Sequence, residues 1–168
     1  MILVFGKTGQ VATELQRLGN VVALGRDQEN LSDPAACADA IRTHAPRAVI
    51  NAAAYTAVDR AQEEGALATI INGDAPTAMA QACVELGIPL IHISTDYVFA
   101  GTGDALWQPD DPTAPQNAYG RSKLVGEIGI RNSGAVHAIL RTSWVVSAHG
   151  ANFVKTMLRL SDTRDQIS

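Results

Sequence analysis

Apolar residues along this chain fall into two alternating patterns. Short unbroken runs occur at Ile2-Leu3-Val4-Phe5, Val21-Val22-Ala23-Leu24, Ala48-Val49-Ile50, Leu90-Ile91-His92-Ile93 and Val136-His137-Ala138-Ile139-Leu140. Between them, small and apolar residues recur every third or fourth position. The runs predict strands and the longer spacing predicts helices. A first helix follows the first run, with Val11, Leu15 and Leu18 on one side. Ser32-Asp33-Pro34 reads as the start of a second, a capping side chain ahead of a proline in the first turn, and this helix stops before Pro46. Helical spacing holds from Ala57 to Leu86, with a kink or break at Asn72-Gly73 and Gly87 as its C-cap. A polar, proline-rich loop from Gly101 to Gln116 precedes helices over 117–131 and 153–160. Ile167-Ser168 looks like the opening of another strand.

Strands alternating with helices at this spacing predict βαβ units on a parallel sheet, with right-handed crossovers and helices on both faces. The 168 residues, 46% hydrophobic and 18% charged, suffice for one domain with a real core. No repeat and no linker divides them. The net charge is −4 without a basic stripe, which argues against nucleic acid as a partner. No apolar run reaches the length of a membrane span. Cys37 and Cys83 sit among small apolar residues and read as buried thiols of a reducing compartment, the cytoplasm. No His, Cys, Asp or Glu cluster has ligand spacing, so no metal is expected. The first strand starts at residue 2, which predicts that no leader precedes it.

The first turn carries the strongest chemical signal. Gly6-Lys7-Thr8-Gly9-Gln10-Val11-Ala12 joins a strand to a helix, the arrangement in which backbone N–H groups and a helix N-terminus hold a pyrophosphate. Gly6 suits a tight turn, Gly9 admits phosphates to the backbone, and Ala12 lets helix pack on strand. An ordinary βα turn is the alternative.

A second signal lies further on. Tyr119 and Lys123 are one helical turn apart, and a cationic lysine near the phenol would lower its pKa and favour proton transfer. A purely structural pair is the alternative. Ser94-Thr95-Asp96-Tyr97 ends a strand that order places near the centre of the sheet, where such folds bind ligands. Thr95 is placed to meet a substrate carbonyl. Asp96 either orients a neighbour or a sugar hydroxyl, or caps the following loop. Asn51 precedes the small residues Ala52-Ala53-Ala54, which leave room for a ribose or a flat ring, and it either joins the site or ties down its loop.

Taken with Ala57-Val58-Asp59, Val98-Phe99, Gly101-Thr102-Gly103, Arg141-Thr142-Ser143-Trp144-Val145 and Asn152 to Leu158, these motifs resemble the extended short-chain dehydrogenase/reductase family over essentially all 168 residues. The resemblance implies an α/β, Rossmann-type doubly wound parallel sheet. Residues 1–168 would be the NAD(P)-binding, N-terminal part of a longer reductase of about 300 residues, with the substrate-binding portion mostly missing. A frayed natural C-terminus is the other reading of the chain's end.

The same resemblance implies that Thr95, Tyr119 and Lys123 form the catalytic set. Thr95 would polarise the C4 keto group of a dTDP-linked 4-keto-6-deoxy sugar, dTDP-4-dehydro-6-deoxy-L-mannose. Tyr119 would protonate its oxygen. Lys123 would tune Tyr119 and bind the nicotinamide ribose. Cofactor contacts are implied for Gly6, Thr8, Gly9, Gln10, Val11, Arg26, Asn30, Leu31, Ala52, Ala53, Ala54, Tyr119 and Lys123, and substrate contacts for Thr95, Asp96 and Trp144, the last with core or loop packing as its alternative. Arg26 favours NADPH through a 2'-phosphate and Asp27 favours NADH; NADPH is preferred, with both allowed. Asn30 stands where relatives carry an acid. A homodimer of the full-length protein stays open, as do a non-catalytic NAD(P)-binding regulatory subunit and another nucleotide-sugar reductase or epimerase.

Overall fold

The computed structural model describes residues 1–164. Five parallel strands, β1 (Ile2–Phe5), β2 (Val21–Leu24), β3 (Ala48–Asn51), β4 (Leu90–Thr95) and β5 (His137–Thr142), form one sheet in the order β2-β1-β3-β4-β5. The chain steps outward from β1 to β2, then crosses back to β3, so the winding reverses between β1 and β3. Helices α1 (Gln10–Arg17), α2 (Pro34–His44), α3 (Gly65–Thr69), α4 (Ala75–Leu86), α5 (Ala118–Ser133) and α6 (Phe153–Ser161) connect the strands or follow them. Alternation along the strands sorts the core into two layers. Leu3, Phe5, Val49 and Leu90 pack on α2 and α4 through Cys37, Ile41, Met79 and Cys83. Val4 and Ile50 face the other way, onto Ala12 and Leu15 of α1. Burial pushes the thiols of Cys37 and Cys83 up to about 12, which makes them inert packing groups.

Most element boundaries fall where the hydrophobic pattern sets them. Asp33 accepts a hydrogen bond from the Ala36 N–H ahead of Pro34, and Gly87 ends α4 in the left-handed region. The details differ at a few places. Leu18 lies past the end of α1 and is exposed, because the helix closes at Arg17 before the stripe completes another turn. Val136 is exposed, and β5 starts one residue later. Strand β4, expected near the centre of the sheet, is interior and lies beside the central strand β3. The break at Asn72-Gly73 is a π turn over Ile70–Asp74. Pro76 has no N–H to offer the carbonyl of Asn72 four residues earlier, so the helix opens there. The strand expected at Ile167-Ser168 lies outside the described residues.

The π turn positions α5. Asn72, almost fully buried, accepts from the Tyr55 N–H and donates to both the Tyr55 carbonyl and the Ser122 hydroxyl. Its own carbonyl lies against Gly126, where any Cβ would collide with it. A glycine inside a helix costs about 1 kcal/mol against alanine; here it brings α5, and with it Tyr119 and Lys123, close to the sheet.

Candidate active site

The C-terminal ends of β1, β3 and β4 open onto one cleft, at the reversal of strand order where open α/β sheets bind ligands. At one end a cavity of about 570 Å³ is lined by the Gly6–Gly9 turn, by Arg26, Asp27, Asn30 and Leu31 after β2, and by Ala52–Ala54 after β3. That volume suits a small molecule. The cleft continues over Thr8, Gly9 and Ala52–Ala54 to Gln10, Val11, Tyr119 and Lys123. It ends among Thr95, Asp96, Tyr119 and Trp144. Thr56 lines every part of it.

The glycine turn has the shape an anion requires. Gly6 sits at φ +107°, and a Cβ there would stand 3.0 Å from the Ala53 nitrogen and 3.1 Å from the Ala52 carbonyl group. Gly9 begins α1 with no side chain capping the first-turn N–H groups, which stay available to a phosphate. Gly6→Ala is expected to destabilise the fold by roughly 1–3 kcal/mol, from positive φ and the clash together. A lowered denaturant midpoint at unchanged m-value is the check. Gln10 has a further task. Its side-chain amide donates to the Val145 carbonyl and accepts from Ser147 and Asn152, so it fastens the loop after β5 against the start of α1.

At the end beside β2, Arg26 and Asp27 are both exposed and both line the cavity. Asn30 accepts from the Ser32 N–H and stabilises its own turn, while Leu31 is buried beneath. Lys7, which sequence reasoning passed over, lines the same cavity and reaches Gln28.

At the other end, Thr95 rather than Asp96 caps the turn that follows β4: its hydroxyl accepts from the Tyr97 N–H and donates to the Asp96 carboxylate. Tyr119 is half-buried, its ring edge-on to Tyr97 with centroids 5.9 Å apart. Trp144 is 72% exposed, which removes the core reading. It stacks obliquely on Phe153 and holds a left-handed backbone, φ +51°, a strained conformation of the kind that gathers at ligand sites.

One electrostatic expectation is overturned. Tyr119 is pushed above its ordinary pKa by burial, with Asp96 and Tyr97 adding to the effect and the Thr95 hydroxyl opposing it. Lys123 does not lower it. The Lys123 amine is fully buried and directed elsewhere, donating to the Ile93 carbonyl at 2.7 Å and meeting His92 Nε2 at 3.1 Å. Burial brings Lys123 down to about 8, Glu127 opposing. His92 is the residue sequence reasoning missed. It reads as one more apolar-run position of β4, and only the position of its ring, below Lys123 and beside Asn51, reveals it. Among the described residues no cluster of three or more His, Cys, Asp or Glu could hold a metal, and no helix is long and apolar enough to cross a membrane.

A parallel sheet of reversed winding, a glycine turn at an uncapped helix start and a cleft along the strand ends define a Rossmann-type α/β domain. The chain belongs to the RmlD substrate binding domain family, whose model matches residues 1–168. It is 46% identical to the dTDP-4-dehydrorhamnose reductase of Salmonella typhimurium over 175 residues, covering 99% of this chain and 58% of that protein. The chain thus spans little more than half the length of that relative. Two solved structures superpose at a TM-score of 0.93, each over 99% of this chain and 61% of its counterpart: a dTDP-4-dehydrorhamnose reductase from Clostridium acetobutylicum at 36% identity, and one from Bacillus anthracis in complex with NADP at 33%.

Proposed function

We propose that this chain is the nicotinamide-nucleotide-binding and catalytic part of a longer reductase that converts dTDP-4-dehydro-6-deoxy-L-mannose to dTDP-L-rhamnose. The observation that carries this reading is the continuity of the cleft from the Gly6–Gly9 turn to Thr95, Tyr119 and Trp144. The close relatives bearing that reductase name support it. A nicotinamide nucleotide fits the residues present: the uncapped N-terminus of α1 takes the pyrophosphate, and Ala52–Ala54 leave space along the floor. When bound, the group supplies hydride.

The chain's own residues do the rest. Thr95 and Tyr119 receive the keto oxygen between two hydroxyls, the Thr95 hydroxyl turning its proton from Asp96 to the substrate, and Tyr119 gives its proton as negative charge develops there. Trp144 covers the sugar. Lys123 offers an N–H to the ribose side of the cleft. In this reading the cavity beside Gly25 takes the adenosine end, and Arg26, with Lys7 across the cavity, receives a 2'-phosphate.

The test is nicotinamide oxidation by the full-length protein, with NADPH and NADH compared, supplied with the 4-keto sugar nucleotide. Absorbance loss that requires the sugar supports the reductase. Cofactor binding without turnover of any nucleotide sugar, together with a stable protein complex, would establish a regulatory subunit instead. Arg26→Ala is expected to raise KM for NADPH about tenfold, the worth of one charge-assisted phosphate contact, and to leave KM for NADH within about twofold. Equal effects on both cofactors would remove Arg26 from the 2'-phosphate.

A further inference from the structure

Beneath the cleft, three side chains of adjacent elements form a buried chain of hydrogen bonds whose direction is fixed at one end. Asn51 Oδ1 accepts from the backbone N–H of Ala53 at 3.1 Å. A backbone N–H cannot become an acceptor, so the Asn51 amide has one orientation, with Nδ2 toward His92 Nδ1 at 3.2 Å. Nδ2 only donates, and His92 Nδ1 therefore accepts. A neutral imidazole with a bare Nδ1 carries its proton on Nε2, and Nε2 faces Lys123 Nζ at 3.1 Å. The lysine nitrogen must then accept, which an ammonium cannot do.

We infer that His92 is a positioning residue that, oriented by Asn51, presents its Nε2–H to Lys123 and so favours the neutral amine in the cofactor-free site. Its lone pair takes the His92 Nε2–H, one N–H goes to the Ile93 carbonyl, and one remains for the cleft that Lys123 lines. The surroundings agree. Asn51, His92 and Lys123 are all essentially fully buried. The charges facing the amine are few: Glu127, one turn along α5, is engaged by Arg131 and Arg141, and Tyr119, one turn back, is an un-ionised phenol beside Asp96. Burial, the largest influence on it, holds His92 well below its ordinary pKa, and so neutral. Tyr119, whose pKa burial raises, stays a protonated acid in the resting site.

The consequence for turnover rests on the reductase reading, but the protonation pattern does not. Histidine-labelled full-length protein, free of cofactor, is to be examined by long-range ¹H–¹⁵N NMR, with His92 assigned by its loss in His92→Gln. The expected spectrum has a protonated Nε2 and a bare Nδ1; a protonated Nδ1, alone or with Nε2, overturns the inference. Asn51→Asp reverses the chain, because a carboxylate accepts from both Ala53 and His92 Nδ1–H. It is expected to move the His92 proton to Nδ1 and to raise the titration of Lys123, followed at its own ¹⁵Nζ and ¹³Cε resonances, by about one pH unit or more. If Lys123 titrates unchanged in both Asn51→Asp and His92→Gln, His92 does not control it. Under the reductase reading His92→Gln also lowers kcat about tenfold or more with little change in cofactor affinity; absent reductase activity leaves the NMR result to decide the inference alone.

Discussion

Tyr119→Phe is expected to lower kcat of the full-length protein by about 10²–10⁴-fold, the usual worth of a positioned general acid, while cofactor affinity stays within about twofold. The ring is what packs: its edge-on contact with Tyr97 is made by carbon atoms that phenylalanine retains. The fold and the cleft are therefore expected to survive, and only the hydroxyl is lost. Burial and the nearby Asp96 hold the phenol above its ordinary pKa near 10, so across neutral pH Tyr119 is in the form that donates. The rate then shows no alkaline limb from Tyr119 below about pH 10. A variant keeping more than about a tenth of the turnover would take the proton transfer away from Tyr119. A variant that lost cofactor binding as well would place the hydroxyl in the binding cleft without showing that it moves a proton.

The fold was legible in the sequence because each strand is built on a short apolar run, the first two ended by glycine, Gly6 after β1 and Gly25 after β2, and because Asp33-Pro34 and Asn117 are helix starts by side-chain chemistry alone. The cleft was legible for the same reason: the glycine turn, Ala52–Ala54 and Thr95 are all strand-end residues, and parallel strands carry their ends to one side. Electrostatics was not legible. Spacing places Tyr119 and Lys123 one turn apart, but it cannot say that the amine is drawn beneath the helix by the Ile93 carbonyl and His92, both from a strand about thirty residues earlier. Nor does the sequence distinguish Thr95 from Asp96 as the cap, since either residue type serves and only the backbone angle at the strand end decides. The π turn was half legible, as a break at Asn72-Gly73, while its use in bringing Asn72 against Gly126 depends on a pairing of distant helices.

The largest stability effect is expected from Glu127→Ala, about 3–5 kcal/mol, the cost of breaking a buried ion pair and leaving its partner unmatched. Glu127 is wholly buried on α5. Arg141 of β5 grips it through two bonds, Nε to Oε1 at 3.0 Å and Nη2 to Oε2 at 2.7 Å; Arg131 donates to Oε2 at 3.0 Å, and the Ser94 hydroxyl to Oε1 at 2.7 Å. One carboxylate thus ties α5 to β4 and β5 directly beside Thr95. Burial alone would push its pKa up, but the Arg141 and Ser94 hydrogen bonds, with the charges of Arg141 and Arg131, outweigh it and hold the carboxyl below its ordinary 4.5. A carboxyl depressed in the folded state contributes stability that is present above about pH 4.5 and is lost as pH falls through the folded value. Wild-type protein is therefore expected to lose denaturant resistance on acidification below that point, and Glu127→Gln to be weaker at pH 7 yet to lose less on acidification, since it has no proton to take up. Equal acid losses in the two proteins would assign the sensitivity to other carboxylates. Replacing Glu127 and Arg141 together with methionine is expected to recover much of the stability, because the pair is costly mainly when broken. It is not expected to recover turnover, since Ser94, next to Thr95 on β4, would have lost the carboxylate that fixes its hydroxyl.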